Sequence, residues 1–138
     1  MTKQDFRDYR NLQKEIRQLK DLIREADSRV YSPGQTRITG QPGAVHAATP
    51  GSAQERIATE LFELRTSYDR AMIDLIKRSR EIERVIEQIE DSTERQIMRL
   101  KYLRGYSWKR VCREIGYEWT QTHTIHRRAL EHASKIEP

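Results

Sequence analysis

A single cysteine in 138 residues leaves no intramolecular disulfide to form, and no stretch approaches the roughly 20 apolar residues that cross a bilayer. Glycine and proline are scarce and crowded together. Three of the four prolines and four of the six glycines fall in YSPGQTRITGQPGAVHAATPGS, residues 31–52. These glycines fit neither GxGxxG nor GxxxxGK[ST], so a phosphate-cradling loop is unsupported. Aromatic residues are only 7% of the chain, and hydrophobic residues (36%) barely outnumber charged ones (34%). That is too little apolar material for a sandwich or barrel, and it favours long helices with one buried stripe. The densely charged first 30 residues lack the apolar run of a signal peptide. The expectation is a soluble, cytoplasmic, all-α chain of one or two small domains with no cofactor.

What the sequence does have is periodicity. Tyr9, Ile16, Ile23 and Val30 stand seven apart with Leu12, Leu19 and Ala26 between them, so residues 1–30 read as a coiled-coil helix. The stripe stops at Tyr31, and residues 31–52 read as a flexible linker. Residues 53–91 carry a longer stripe. Leu61, Tyr68, Leu75, Ile82 and Ile89 are seven apart, Ile57, Leu64, Ala71 and Val85 fall between, and Arg78 is the one polar interruption. The two helices would be about 42 and 57 Å long, and the linker spans at most about 75 Å. A hairpin within one chain and a pairing between chains both fit. The surplus length of the second helix favours a homodimer or higher oligomer, with Leu61, Leu64, Tyr68, Leu75, Ile82, Val85 and Ile89 at the contact.

The remaining third, residues 92–138, holds three short amphipathic segments separated by Gly105 and Gly116. Asp91 and Ser92 offer N-cap chemistry, with Glu94 or Gln96 placed to close a capping box. Ile97, Leu100 and Leu103 recur at helical spacing. Ser107 can cap a second helix with the apolar stripe Trp108, Val111, Cys112 and Ile115. A third helix starting near Thr120 turns Ile125, Ala129 and Leu130 inward. A short helix, a tight glycine turn and a longer helix form a helix-turn-helix pattern. The charge is divided accordingly. Residues 1–91 carry sixteen basic and sixteen acidic side chains, which cancel, whereas residues 92–138 carry ten basic and five acidic. The whole net charge of +5 sits on the segment with the helix-turn-helix pattern, as a surface that meets phosphates requires.

The run IGYEWTQTHTIHRRAL, from Ile115 to Leu130, resembles the helix-turn-helix of region 4 of sigma-70-type RNA polymerase factors. Ile115-Gly116-Tyr117, Ile125 and Arg128-Ala129-Leu130 stand at the family's pattern positions. GYSWKRVCREIG and DSTERQIMRLKYLRG resemble the two preceding helices. In whole layout the chain resembles phage-encoded regulators of late and packaging genes of the RinA and ArpU type. Glu118, where a serine is usual, and Thr122, where an apolar residue is usual, depart from the sigma pattern. Nothing corresponds to the polymerase-core-binding part of a sigma factor.

In that arrangement Trp119, Thr120, Gln121, His123, Thr124 and Arg127 lie toward the outward, N-terminal side of the recognition helix and are the candidate base contacts. Gln and Arg bond adenine and guanine edges bidentately, and Thr bonds either base type or touches a thymine methyl. Lys109, Arg110, Arg113 and Arg128 are the candidate phosphate contacts. Trp108 and Cys112 read as packing residues. His123 and His126 are three apart, but no third ligand has metal-site spacing, so no metal is expected. The acidic pairs of the second long helix belong to a solvated face, and no enzyme is expected.

The resemblance implies a sequence-specific DNA-binding transcriptional regulator, acting from double-stranded DNA in a bacterial host, with host RNA polymerase as a further candidate partner. A phage small terminase subunit, which also joins a helix-turn-helix to oligomerising helices, is the alternative. A coiled-coil protein-interaction adaptor is the third reading.

Overall fold

A computed structural model describes residues 1–30 and 52–138; the expected linker falls outside them but for Ser52. The fold is all-α. Among the described residues there are five α-helices and no strand: α1 (Lys3–Val30), α2 (Ala53–Glu87), α3 (Ser92–Met98), α4 (Trp108–Ile115) and α5 (Trp119–Ser134). A π-helical segment, Arg99–Leu103, follows α3 directly. None of these helices is long and apolar enough to cross a membrane.

Local chemistry fixes the boundaries. Thr2 and Asp5 form a reciprocal box at the start of α1: the Asp5 amide donates to Thr2 Oγ1 at 3.3 Å, and the Thr2 amide to Asp5 Oδ2 at 2.7 Å. The Thr2 amide and then the Thr2 hydroxyl, which donates to the same Asp5 Oδ2 at 2.8 Å, hold the Asp5 carboxyl below its ordinary pKa. Ser52 accepts from the Glu55 amide at the start of α2. α2 ends at Glu87, two residues before Ile89, the last position of the heptad stripe. Ile89 stays buried beyond the helix end through a tight turn in which its amide donates to Ile86 O at 3.0 Å.

The described residues fall into two compact units. One comprises Met1–Gln13 and Ile73–Pro138, the other Lys14–Met72. In the second unit Ile16 and Ala26 are buried, and Leu61, Leu64 and Tyr68 are half-buried. Two exposed ion pairs, Arg29–Glu60 at 3.3 Å and Arg65–Asp27 at 3.1 Å, join α1 to α2 there. Such pairs contribute about 0–1 kcal/mol each, so they set register more than stability.

The first unit has the larger core. Phe6 and Tyr9 of α1 share it with Ile82, Val85 and Ile86 of α2, with Met98 and Tyr102, and with Ala129, Leu130 and Ala133 of α5. The heptad reading is corrected here. Ile82, Val85 and Ile89, expected to meet a second chain, are at most 2% exposed inside their own chain, because α1 and the C-terminal helices cover them. Leu75 packs at the edge of the same core. A further correction concerns α3. Ile97 is buried as expected, but Met98, Lys101 and Tyr102 are buried where Leu100 and Leu103 were expected and are only half so. The π segment takes an extra residue into its turn, seen in the Arg104 amide donating to Arg99 O, which moves the inward face along the sequence.

Because Phe6 sits in the core that also holds α5, Phe6→Ala should cost about 3–5 kcal/mol and destabilise the C-terminal helices together with α1. Both tryptophans lie in α4 and α5, so their fluorescence reports on those helices. An unchanged fluorescence midpoint in urea, with helix content alone lost, would contradict the shared core.

Candidate nucleic-acid interface

α4 and α5 form the helix-turn-helix. Ser107 caps α4 by accepting from the Arg110 amide at 3.3 Å. Gly116 ends it in the left-handed conformation, φ 80° and ψ 22°, which glycine adopts without the Cβ penalty of other residues. Three residues, Gly116, Tyr117 and Glu118, turn the chain into α5. Trp119 rather than Thr120 is the first helical residue, and extended Glu118 stands at the N-cap position without a side-chain cap bond. Ile97, Val111 and Ile125 form a small core between the helices, with Leu100, Tyr106, Trp108 and Ile115 packed around it.

Ahead of α3, Asp91 accepts from the Glu94 amide at 2.9 Å, as its position suggests. Glu94 does not close a capping box. It is buried and its Oε2 lies 2.7 Å from His132 Nδ1, tying α3 to α5. Arg95 donates to the carbonyls of Ile89 and Glu90, satisfying backbone groups at the end of the preceding turn.

On α5, Ile125, Ala129 and Ala133 face inward. At 3.6 residues per turn, Thr120, Thr124 and Arg127 form the opposite, solvent-facing row. Gln121 and Arg128 flank this row on one side, Trp119 and His123 on the other; of these seven only His123 is half-buried. The structure therefore brings the expected base contacts onto one exposed surface but orders them by reach. On α4, Lys109, Arg110 and Arg113 are exposed. Arg110 is already engaged, lying 3.7 Å from the centroid of the Tyr106 ring and 4.0 Å from Glu114. Lys109, Arg113, Arg127 and Arg128 have no carboxylate within 4.0 Å among the described residues.

An aromatic series that the sequence did not announce runs behind this surface. Trp119 stacks on His123, His123 meets Trp108, Trp108 meets His126 edge-on, and His126 reaches Tyr102, which packs on Phe6. The buried Lys101 ammonium sits 4.5 Å from the Trp108 ring centroid and donates to Tyr106 O. His126 Nε2 and the Tyr102 hydroxyl share a 2.8 Å hydrogen bond. Burial pushes His126 down to about 4, with His123, Lys101 and Lys3 adding repulsion. Burial pushes Tyr102 up to about 12, against the pull of Arg10 and Arg7. Both groups are neutral at physiological pH. His123 and His126 thus both pack against Trp108, and among the described residues no three His, Cys, Asp or Glu side chains gather as metal ligands.

Thr122 is the odd residue of the motif. It is fully buried, and its Oγ1 has no hydrogen-bond partner among the described residues. Thr124, two residues on, donates its hydroxyl back to Thr120 O at 2.9 Å; Thr122 makes no such bond. Cys112 is half-buried and free.

The family model described as "Protein of unknown function (DUF1492)" matches residues 48–134, which contain α2 to α5. The match covers more than half of the chain, and the protein belongs to that family. No curated protein and no solved structure matches the chain.

Two consequences concern stability. The unfolded chain protonates His126 near 6.5, the folded one only near 4. Between those values the unfolded state binds the extra proton, so stability falls as pH drops through this window, by a few kcal/mol in order of magnitude. His126→Gln, which keeps an acceptor for Tyr102, should flatten the fall between pH 7 and pH 5 in thermal melts; an equally steep profile would contradict the assignment. Thr122→Val should raise the melting temperature by roughly 4 °C, since it removes a buried unpaired hydroxyl worth about 1 kcal/mol. A lower melting temperature would show that the hydroxyl has a partner.

Proposed function

We propose that this member of the DUF1492 family is a sequence-specific DNA-binding transcriptional regulator, phage-encoded and acting on late or packaging genes. The observation that carries the DNA-binding part is the set Lys109, Arg113, Arg127 and Arg128, exposed on the two helices of a helix-turn-helix and without a carboxylate partner among the described residues. Cations left uncompensated on such a motif neutralise phosphates on release of counterions. The phage assignment rests on the resemblance of the whole layout to RinA- and ArpU-type regulators. In this reading α5 enters the major groove by its N-terminal half, and Thr120, Gln121, Thr124 and Arg127 meet base edges. Lys109 and Arg113 approach the backbone from α4, with Arg128 on the flank of α5. Self-association, which two half-sites require, falls to exposed apolar residues of α2 such as Ile73 and Ile76 in place of the buried Ile82, Val85 and Ile89.

The test is a titration of the full chain onto duplexes selected from a random library and onto mixed-sequence DNA, each at two salt concentrations. Arg127→Ala should weaken the selected duplex roughly tenfold and flatten the sequence preference. Lys109→Ala should weaken every sequence alike and lower the salt slope by about 1. Equal losses from both variants on every sequence would contradict the groove assignment.

A further inference from the structure

The imidazole of His123 is held between two indoles, with ring centroids 4.4 Å from Trp119 and 4.3 Å from Trp108. Its Nδ1 lies 2.8 Å from the carbonyl oxygen of Trp119. A carbonyl oxygen can only accept, so Nδ1 carries the hydrogen and donates it. In the neutral ring Nε2 then holds a lone pair and can only accept. Nε2 has no hydrogen-bond partner among the described residues and is not a buried atom, so it opens to solvent. The neighbouring Thr124 is similar, its hydroxyl proton engaged by Thr120 O and its oxygen lone pairs exposed. Turning the ring to present a donor would break the bond to Trp119 O within a space bounded by two indoles.

We infer that His123 is a specificity-determining residue that reads a hydrogen-bond donor in the major groove, namely the N6 amine of adenine or the N4 amine of cytosine. Those two amines are the donors that the major groove displays. Guanine and thymine set acceptors, O6, N7 and O4, against an acceptor and are disfavoured at that position. The inference rests on the DNA-binding reading and adds which base edges His123 takes.

The test uses the full chain at about pH 8, where imidazole is ordinarily neutral, and duplexes selected from a random library. Wild-type protein should select adenine or cytosine at one position sensitive to residue 123. Replacing that base by purine or 2-pyrimidinone nucleotide, which lack only the amine, should weaken wild-type binding about 2–12-fold, the value of one hydrogen bond. His123→Phe keeps a flat ring between the indoles and should show no such loss, with its salt dependence unchanged. The inference fails if amine removal costs the wild type nothing, a result that needs no variant to fold. It also fails if His123→Phe loses as much as wild type, or if the position selects guanine or thymine. Salt-sensitive binding with a failed amine test removes this inference alone, whereas absence of salt-sensitive binding to every duplex removes the DNA-binding reading and the inference with it.

Discussion

Ala129, Leu130 and Ala133 of α5 share one buried core with Tyr102, Ile86 and Phe6, and the rest of the first unit depends on that burial. Small residues on one helix face let larger side chains from three other elements converge on it, and each fully buried large apolar side chain stabilises the fold by about 1.5–3 kcal/mol. The same core takes in the start of α1 and the end of α2, so α5 is held by more than the two short helices before it. A trihelical motif of this size, relying only on Ile97, Val111 and Ile125, would have little apolar surface to bury. Because the inward face of α5 is committed in this way, Thr120, Thr124 and Arg127 are left facing solvent.

Polar groups are accommodated in this core in different ways. Glu94 is buried against His132, and Lys101 is buried with its ammonium near the Trp108 ring and the Tyr106 carbonyl. His126 stays neutral against the Tyr102 hydroxyl. Among the described residues, the Thr122 hydroxyl is buried without a hydrogen-bond partner. The aromatic series from Trp119 to Phe6 joins the exposed entrance of α5 to the buried core, so the orientation of His123 is set by packing that begins at α1.

Much of the fold could be read from the residues. Heptad spacing located α1 and α2, Ser107 and Gly116 marked the ends of α4, and Asp91 marked the start of α3, because each rests on chemistry local to a few residues. The misjudged features depend on distant partners. Ile82, Val85 and Ile89 occupy heptad positions whether the covering helix belongs to the same chain or another, and periodicity does not tell these apart. The π turn at Arg99–Leu103 has no sequence sign, so helical spacing does not mark Met98 and Tyr102 as core residues. The exposed basic and polar residues of the candidate surface were legible from charge and spacing. The division between a forward row and the stacked flank of Trp119 and His123 was not, since it depends on where Trp108 lies.

The central claim is that the N-terminal half of α5, supported by α4, is the surface that meets DNA. It is tested most directly by recording backbone amide spectra of the isotope-labelled full chain with and without a selected duplex. The account predicts that the largest shifts fall on Ser107 to Arg113 and on Glu118 to Arg128, and that the Lys14–Met72 unit is left nearly unmoved. Shifts concentrated on α2, with α4 and α5 unchanged at saturating DNA, would contradict it.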